Sequence, residues 1–149
     1  STLGGKYYWE FTPSTVGNGL VLGITYGSTT TTDANSKAIF YALSGTKRIL
    51  GGADTAYGAS YTNNDVIGVA VNSISGTIEF FKNGTSQGVI TDSSISLQPY
   101  RPFVFNNSSS ANSNTTCNFG QRAFAYTPPS GFLALNTQNL PDPTITWTW

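Results

Sequence analysis

Histidine is absent from this chain, and cysteine occurs once, at Cys117. Without an imidazole, the common zinc sites and the histidine-based catalytic dyads drop out together. A lone thiol forms neither an internal disulfide nor a thiolate cluster, so Cys117 is expected to serve as a small core residue. Charge is scarce as well: seven basic and seven acidic side chains cancel, and charged residues fill only 9% of the 149 positions. Lys47 and Arg48 are the sole adjacent basic pair. No basic stripe is available to neutralise phosphates, which argues against a nucleic-acid partner, and no polybasic cluster is available for an anionic membrane surface. Apolar runs stop after a few residues, far short of the ~20 that a spanning helix needs, so membrane insertion is not expected. The opening "STLGGKYYWEF" lacks the charged and apolar regions of a signal peptide. Methionine is missing too, even at position 1. Together with the abrupt "TITWTW" ending, this leads us to expect a segment of a longer polypeptide.

What is present is aromatic and β-branched residues set among Ser, Thr, Asn and Gly. Apolar residues make up 38% and aromatics 13% of the chain, a profile that favours strands over helices in one domain large enough to bury a core. The clearest stretch is "DVIGVAVNSISGTIEFFKNGTSQGVI", residues 65–90. Residues 66–71 suit a central strand packed on both faces, with Gly68 and Ala70 admitting a close neighbour. Residues 77–81 put Ile78 and Phe80 on one side. Asn83-Gly84 tolerates the two positive φ angles of a type I′ hairpin, so an antiparallel meander is predicted. Further strands are predicted over 6–11, with Tyr7, Trp9 and Phe11 facing inward; over 19–26, with Gly23 leaving space for an aromatic; and over 38–43 and 47–50. Residues 101–106 and 115–119 read as a strand pair across a polar tip. Residues 28–37 read as a solvated loop, 51–64 as a glycine-rich connection carrying Tyr57 and Tyr61, and 126–143, with four of the seven prolines, as an extended strap. No helix of three turns is visible, and the fold class is all-β, a sandwich or barrel.

Taken in order, "GKYYWEF", "LGITY", "YGASYTNNDVIGVAVNSISGTIEFFKNGTSQGVI" and "PYRPFVF...CNFGQRAFAY" resemble the landmarks of a SPRY domain. The resemblance covers residues 4 to about 135 and implies a bent sandwich of two antiparallel sheets, of concanavalin-like jelly-roll architecture, with no enzymatic activity and no cofactor. We expect the domain to span residues 1–135, with 136–149 leading toward another module. The closing "NFGQRAFAYTPPSGFLALNTQNLPDP" is similar to the version found in tailed-phage and other viral structural proteins. That implies a fibre, tail or capsid-surface role on a virion, beside neighbouring subunits and in a homo-oligomer set by the parent protein. The rival is a cellular adaptor that recognises a short peptide segment. Large apolar residues in a groove would favour it.

The resemblance also implies partner binding through loops at one edge of the sandwich, best matched by residues 26–35 and 105–109. These supply Tyr26, Ser28, Thr30, Asp33, Asn35, Asn106 and Asn107, whose hydroxyls and amides suit a host-surface glycan or protein, with a tyrosine ring packing on a sugar. Tyr57 and Tyr61 are added as candidates, although either ring could instead cap the sandwich end. Trp147 and Trp149 read as the stub of a strand completed elsewhere. The carboxylates are scattered over different elements, so no acid/base pair suggests a glycosidase. Asp33 alone in its loop is too little for a calcium site, and no metal is expected. Four matches to the N-glycosylation pattern, at Asn83, Asn106, Asn107 and Asn114, are read as chance in so Asn-rich a chain.

Overall fold

The computed structural model describes residues 4–27, 34–106 and 112–140. Along the chain run β1 (Lys6–Thr15), β2 (Leu20–Tyr26), one helical turn α1 (Ala34–Lys37), β3 (Ala38–Ala42), β4 (Thr46–Ile49), β5 (Thr55–Ala56), β6 (Ile67–Asn72), β7 (Thr77–Lys82), β8 (Thr85–Thr91), a second turn α2 (Ser94–Leu97), β9 (Tyr100–Asn106), β10 (Asn114–Asn118) and β11 (Leu133–Ala134). One sheet has the order β10-β1-β6-β7-β8, with β11 joining β1 in parallel; the other has the order β5-β4-β3-β2-β9. The remaining pairings are antiparallel, and the all-β sandwich expected from composition and pattern is what the chain forms.

Period-two alternation decides which side chains meet between the sheets. Tyr7, Trp9 and Phe11 from β1, Leu20, Leu22 and Ile24 from β2, Val69 and Val71 from β6, and Ile78 and Phe80 from β7 are buried in one core. Each such burial removes enough apolar surface to contribute about 1.5–3 kcal/mol. Trp9 is fully buried, edge-on to Phe11 and stacked on Tyr100 with centroids 6.5 Å apart. The meander follows the predicted plan: β6 is central, and Asn83 (φ 49°) and Gly84 (φ 79°) make the left-handed pair that a type I′ turn requires.

The strand pair predicted between residues 101–106 and 115–119 does not form. β9 pairs with β2, and β10 pairs with β1 in the opposite sheet. Alternation fixes which face of a strand is buried and says nothing about its neighbour, so two strands separated by a short polar tip read as a hairpin. Of the predicted loop 28–37, residues 34–37 form α1; residues 28–33 lie outside the described residues.

The C-terminal strap crosses the outer face of the first sheet. There Gly68 leaves room for the Tyr8 ring, which meets Phe124 edge-on at 5.0 Å. Glu10, buried on the same face, accepts hydrogen bonds from the backbone N–H groups of Ala125 (2.9 Å) and Tyr126 (3.0 Å) and from the Tyr8 hydroxyl (3.3 Å). Packing continues through Leu140, which lies against the core, while Tyr7 donates to the Asn139 carbonyl at 3.2 Å. Replacing the carboxylate leaves two strap amides without an acceptor, so Glu10→Ala is expected to lose on the order of 2–4 kcal/mol of stability in urea unfolding. Hydrogen exchange at Ala125 and Tyr126 should quicken ahead of the core strands. Unchanged exchange there would mean that something else holds the strap.

Candidate functional site

The register of β2 with β9 separates the two loops expected to share one binding edge. Tyr26 pairs with Tyr100, and Leu20 pairs with Asn106. Tyr26 and Asn106 therefore stand at opposite ends of a seven-residue strand pair, about 20 Å apart at 3.3 Å per residue. A ligand touching both would have to span about six extended residues. Asn35 falls in α1, whereas Ser28, Thr30, Asp33 and Asn107, like Trp147 and Trp149, lie outside the described residues.

The three candidate tyrosines are built into the sandwich. Tyr26 is 4% exposed, with its hydroxyl 3.1 Å from Ser94 Oγ, and burial raises its pKa. Tyr61 is 3% exposed and donates to the carbonyls of Leu20 (3.1 Å) and Tyr41 (3.3 Å). Burial pushes its phenol far above the ordinary tyrosine value. Tyr57 is half-buried between Tyr41 and Phe80, donates to the Gly88 carbonyl, accepts from Phe80 N at 3.3 Å and carries Lys47 Nζ over its ring at 5.1 Å. Tyr57 and Tyr61 close the gap between the sheets at the β5 side, and neither Tyr26 nor Tyr61 offers a ring face to a sugar.

A different constellation forms on the outer face of the second sheet. Gly23 is the cross-strand partner of both Phe40 and Phe103. A Cβ at Gly23 would fall on the Ile39 carbonyl and the Phe40 Cα, so the close approach of β2 to β3 requires glycine. With no side chain between them, Phe40 and Phe103 join Val21 and Ala38 in a second small apolar cluster, and Phe105 stacks on Phe103 at 6.0 Å. At the Leu20 end of this cluster lies a hollow of about 180 Å³, lined among others by Asn18, Val21, Phe40, Ser44, Arg48 and Phe105. Arg48 Nε donates to Asp54 Oδ1 at 2.7 Å and Nη2 to Oδ2 at 2.9 Å. The guanidinium lies over the Phe40 ring with Cζ 5.5 Å from the centroid, and its pairing with Asp54 raises its already high pKa. The hollow thus has an aromatic floor, a hydroxyl and amide rim, and a charge-neutral ion pair in its wall.

A family model described as the SPRY domain matches residues 6–122, from the first residue of β1 to beyond β10. The chain belongs to the SPRY domain family. The crystal structure of the SPRY domain of human HERC1 superposes with a TM-score of 0.68 over 82% of this chain and 79% of that one, at 20% identity. At that identity the likeness shows the fold alone, and the two-sheet sandwich of this SPRY domain is the fold in common.

Sequence reasoning placed weight on polar loop residues and passed over Phe40, Arg48 and Asp54. Gly23 did carry a signal, since space for an aromatic was expected opposite it. That the space is shared by two rings from different strands is a matter of register, which alternation does not specify.

Tyr41 and Tyr57 both have phenol pKa values pushed up to about 12, chiefly by burial, against 10.0 for a free side chain. A raised folded-state value means that their contribution is fully present below pH 10 and is lost as pH rises toward 12. Absorbance at the phenolate band during alkaline titration should show these rings ionising near pH 12, together with loss of near-ultraviolet dichroism. Ionisation of both near pH 10 in the folded domain would contradict the packing described.

Proposed function

We propose that this SPRY domain is a non-catalytic recognition module that grips a short segment of a partner protein in the hollow at the Leu20 and Asn106 end. The observation that carries this reading is the hollow's floor. Phe105, half-buried, supplies the large apolar groove residue that favours a peptide segment over a glycan, and Phe40 underlies it, buried beneath Arg48. The glycan reading relied on Tyr26 acting together with Asn106 and Asn107, and the register sets Tyr26 and Asn106 at opposite ends.

The absence of catalysis in this reading is supported by what the carboxylates do. Glu10, Asp54, Asp65, Glu79 and Asp92 each accept hydrogen bonds within the fold, from the strap amides, Arg48, Thr62 N and Asn83 Nδ2, Ser86, and Ser94 respectively. We place the module on the exposed surface of a virion, in a fibre, tail or capsid-surface protein beside neighbouring subunits. Low charge with abundant hydroxyls and amides, and the viral resemblance of the closing stretch, support that setting.

The test is selection of binding peptides from a displayed random library with the intact 149-residue domain, followed by variants at each end. Ser44 is exposed at the rim of the hollow, so Ser44→Arg fills the entrance without disturbing the core. It should weaken the selected peptides at least about tenfold, or ~1.4 kcal/mol. Arg101→Ala, at the opposite end of β9, should leave them unchanged. The reverse pattern would move the site to the Tyr26 end and overturn the reading.

A further inference from the structure

Arg48 and Asp54 give the hollow a chemical preference that its shape alone does not. Both groups are accessible, with side chains 24% and 48% exposed, so the pair's stabilisation of the fold is small. Its geometry is informative instead. Arg48 uses Nε and one hydrogen of Nη2 on the two oxygens of Asp54. Both hydrogens of Nη1 and the second of Nη2 make no hydrogen bond among the described residues. A guanidinium has five such donors and no acceptor. The wall therefore presents donors while carrying no net charge, because the carboxylate that orients the guanidinium also cancels it.

We propose that, on the reading of the hollow as a peptide site, the Arg48–Asp54 pair makes it selective for an uncharged segment. An apolar side chain of valine-to-leucine size rests on Phe105, and a backbone carbonyl of the segment accepts from the remaining Arg48 donors. An acidic side chain, the natural partner of a bare arginine at an apolar site, is refused by the Asp54 carboxylate, which already occupies the fork. A basic side chain is refused by Arg48 itself. The Asp54 fork and the cation–π contact with Phe40, at 5.5 Å from Cζ to the ring centroid, limit the sweep of the guanidinium through solvent. Arg48 and Asp54 are specificity-determining residues in this scheme, and no covalent step is involved.

The experiment is a titration of the isotope-labelled domain with two capped single residues, N-acetyl-leucine N-methylamide and N-acetyl-aspartate N-methylamide. Each is taken to about 50 mM, as suits contacts of millimolar strength. The expected result in the native domain is saturable movement of the Gly19, Ser44 and Phe105 amides with the leucine probe and none with the aspartate probe. In Asp54→Asn, which keeps the shape but frees the fork, the order should invert, with the preference for leucine over aspartate falling at least tenfold. Arg48→Lys keeps the charge but loses the planar fork, and should weaken the leucine probe without admitting aspartate. If the leucine probe binds and Asp54→Asn leaves the preference unchanged, the selectivity proposal fails while the peptide reading stands. If neither probe moves those amides, and methyl glucoside does, both fail. Backbone spectra of each variant that overlay the native one away from the hollow keep a folding defect from imitating either result.

Discussion

β2 is buried along both of its faces, all seven of its residues included, and the other features of the molecule follow from satisfying that strand. Its inward side chains, Leu20, Leu22, Ile24 and Tyr26, meet the common core. The outward side must also be covered, although the outer face of a sandwich sheet ordinarily meets water. Gly23 resolves this by holding nothing there. Phe40 and Phe103, its cross-strand partners on either side, join Val21 and Ala38 there in the second apolar cluster. Where that cover ends, at the Leu20 end of the strand, the hollow begins. The candidate site is thus the margin of a packing solution: Phe40, Arg48 and Phe105 stand on strands, which gives the floor a fixed shape, while Asn18, Ser44 and Asp54 come from the connections.

The same division of labour explains why the tyrosines that stand out in the sequence are poor candidates for binding. A sandwich has open ends, and a phenol can fill an end with its ring while satisfying a backbone carbonyl with its hydroxyl. Tyr61 does this toward Leu20 and Tyr41, Tyr57 toward Gly88, and Tyr41 toward Ala59. Their hydroxyls are engaged with backbone groups that water would otherwise have to reach. Aromatic residues in a glycine-rich connection read alike whether they recognise a ligand or close a fold; only the hydrogen-bond partners distinguish the two.

Most of the strands and the inward set were legible, because alternation and the Asn83-Gly84 turn are local signals with direct physical causes. Ile78 and Phe80 on one side of β7, Trp9 in the core and Gly68 beside a large neighbour all belong to this class. What could not be read was pairing. β9 and β10 are strands where expected, yet they belong to different sheets, and the separation of the two candidate loops has the same origin. Tyr26 and Asn106 both follow or end a strand, and nothing local says that the two strands run antiparallel and leave them at opposite ends. Glu10 shows the converse case. As a carboxylate within a predicted strand it gave no hint of the strap 115 and 116 residues away that it holds.

The size of the hollow sets the kind of recognition it can support. Burying one aliphatic side chain contributes roughly 1.5–3 kcal/mol, and a hydrogen bond from a charged donor adds about 1.5–3 more before the costs of immobilising the segment. The sum of about 3–6 kcal/mol corresponds to Kd values from several millimolar to tens of micromolar, and those costs move it toward the weak end, since each ~1.4 kcal/mol is tenfold. A site of that strength acts usefully when the segment also touches the Asn18 and Ser44 rim, or when several copies of the module are presented together and the second contact becomes intramolecular. Neutral selectivity suits such an arrangement. A weak site that welcomed any acidic group would be occupied by every passing carboxylate, and repetition would multiply that promiscuity as readily as it multiplies affinity. A wall that offers donors without net charge confines the gain from repetition to segments that fit the floor.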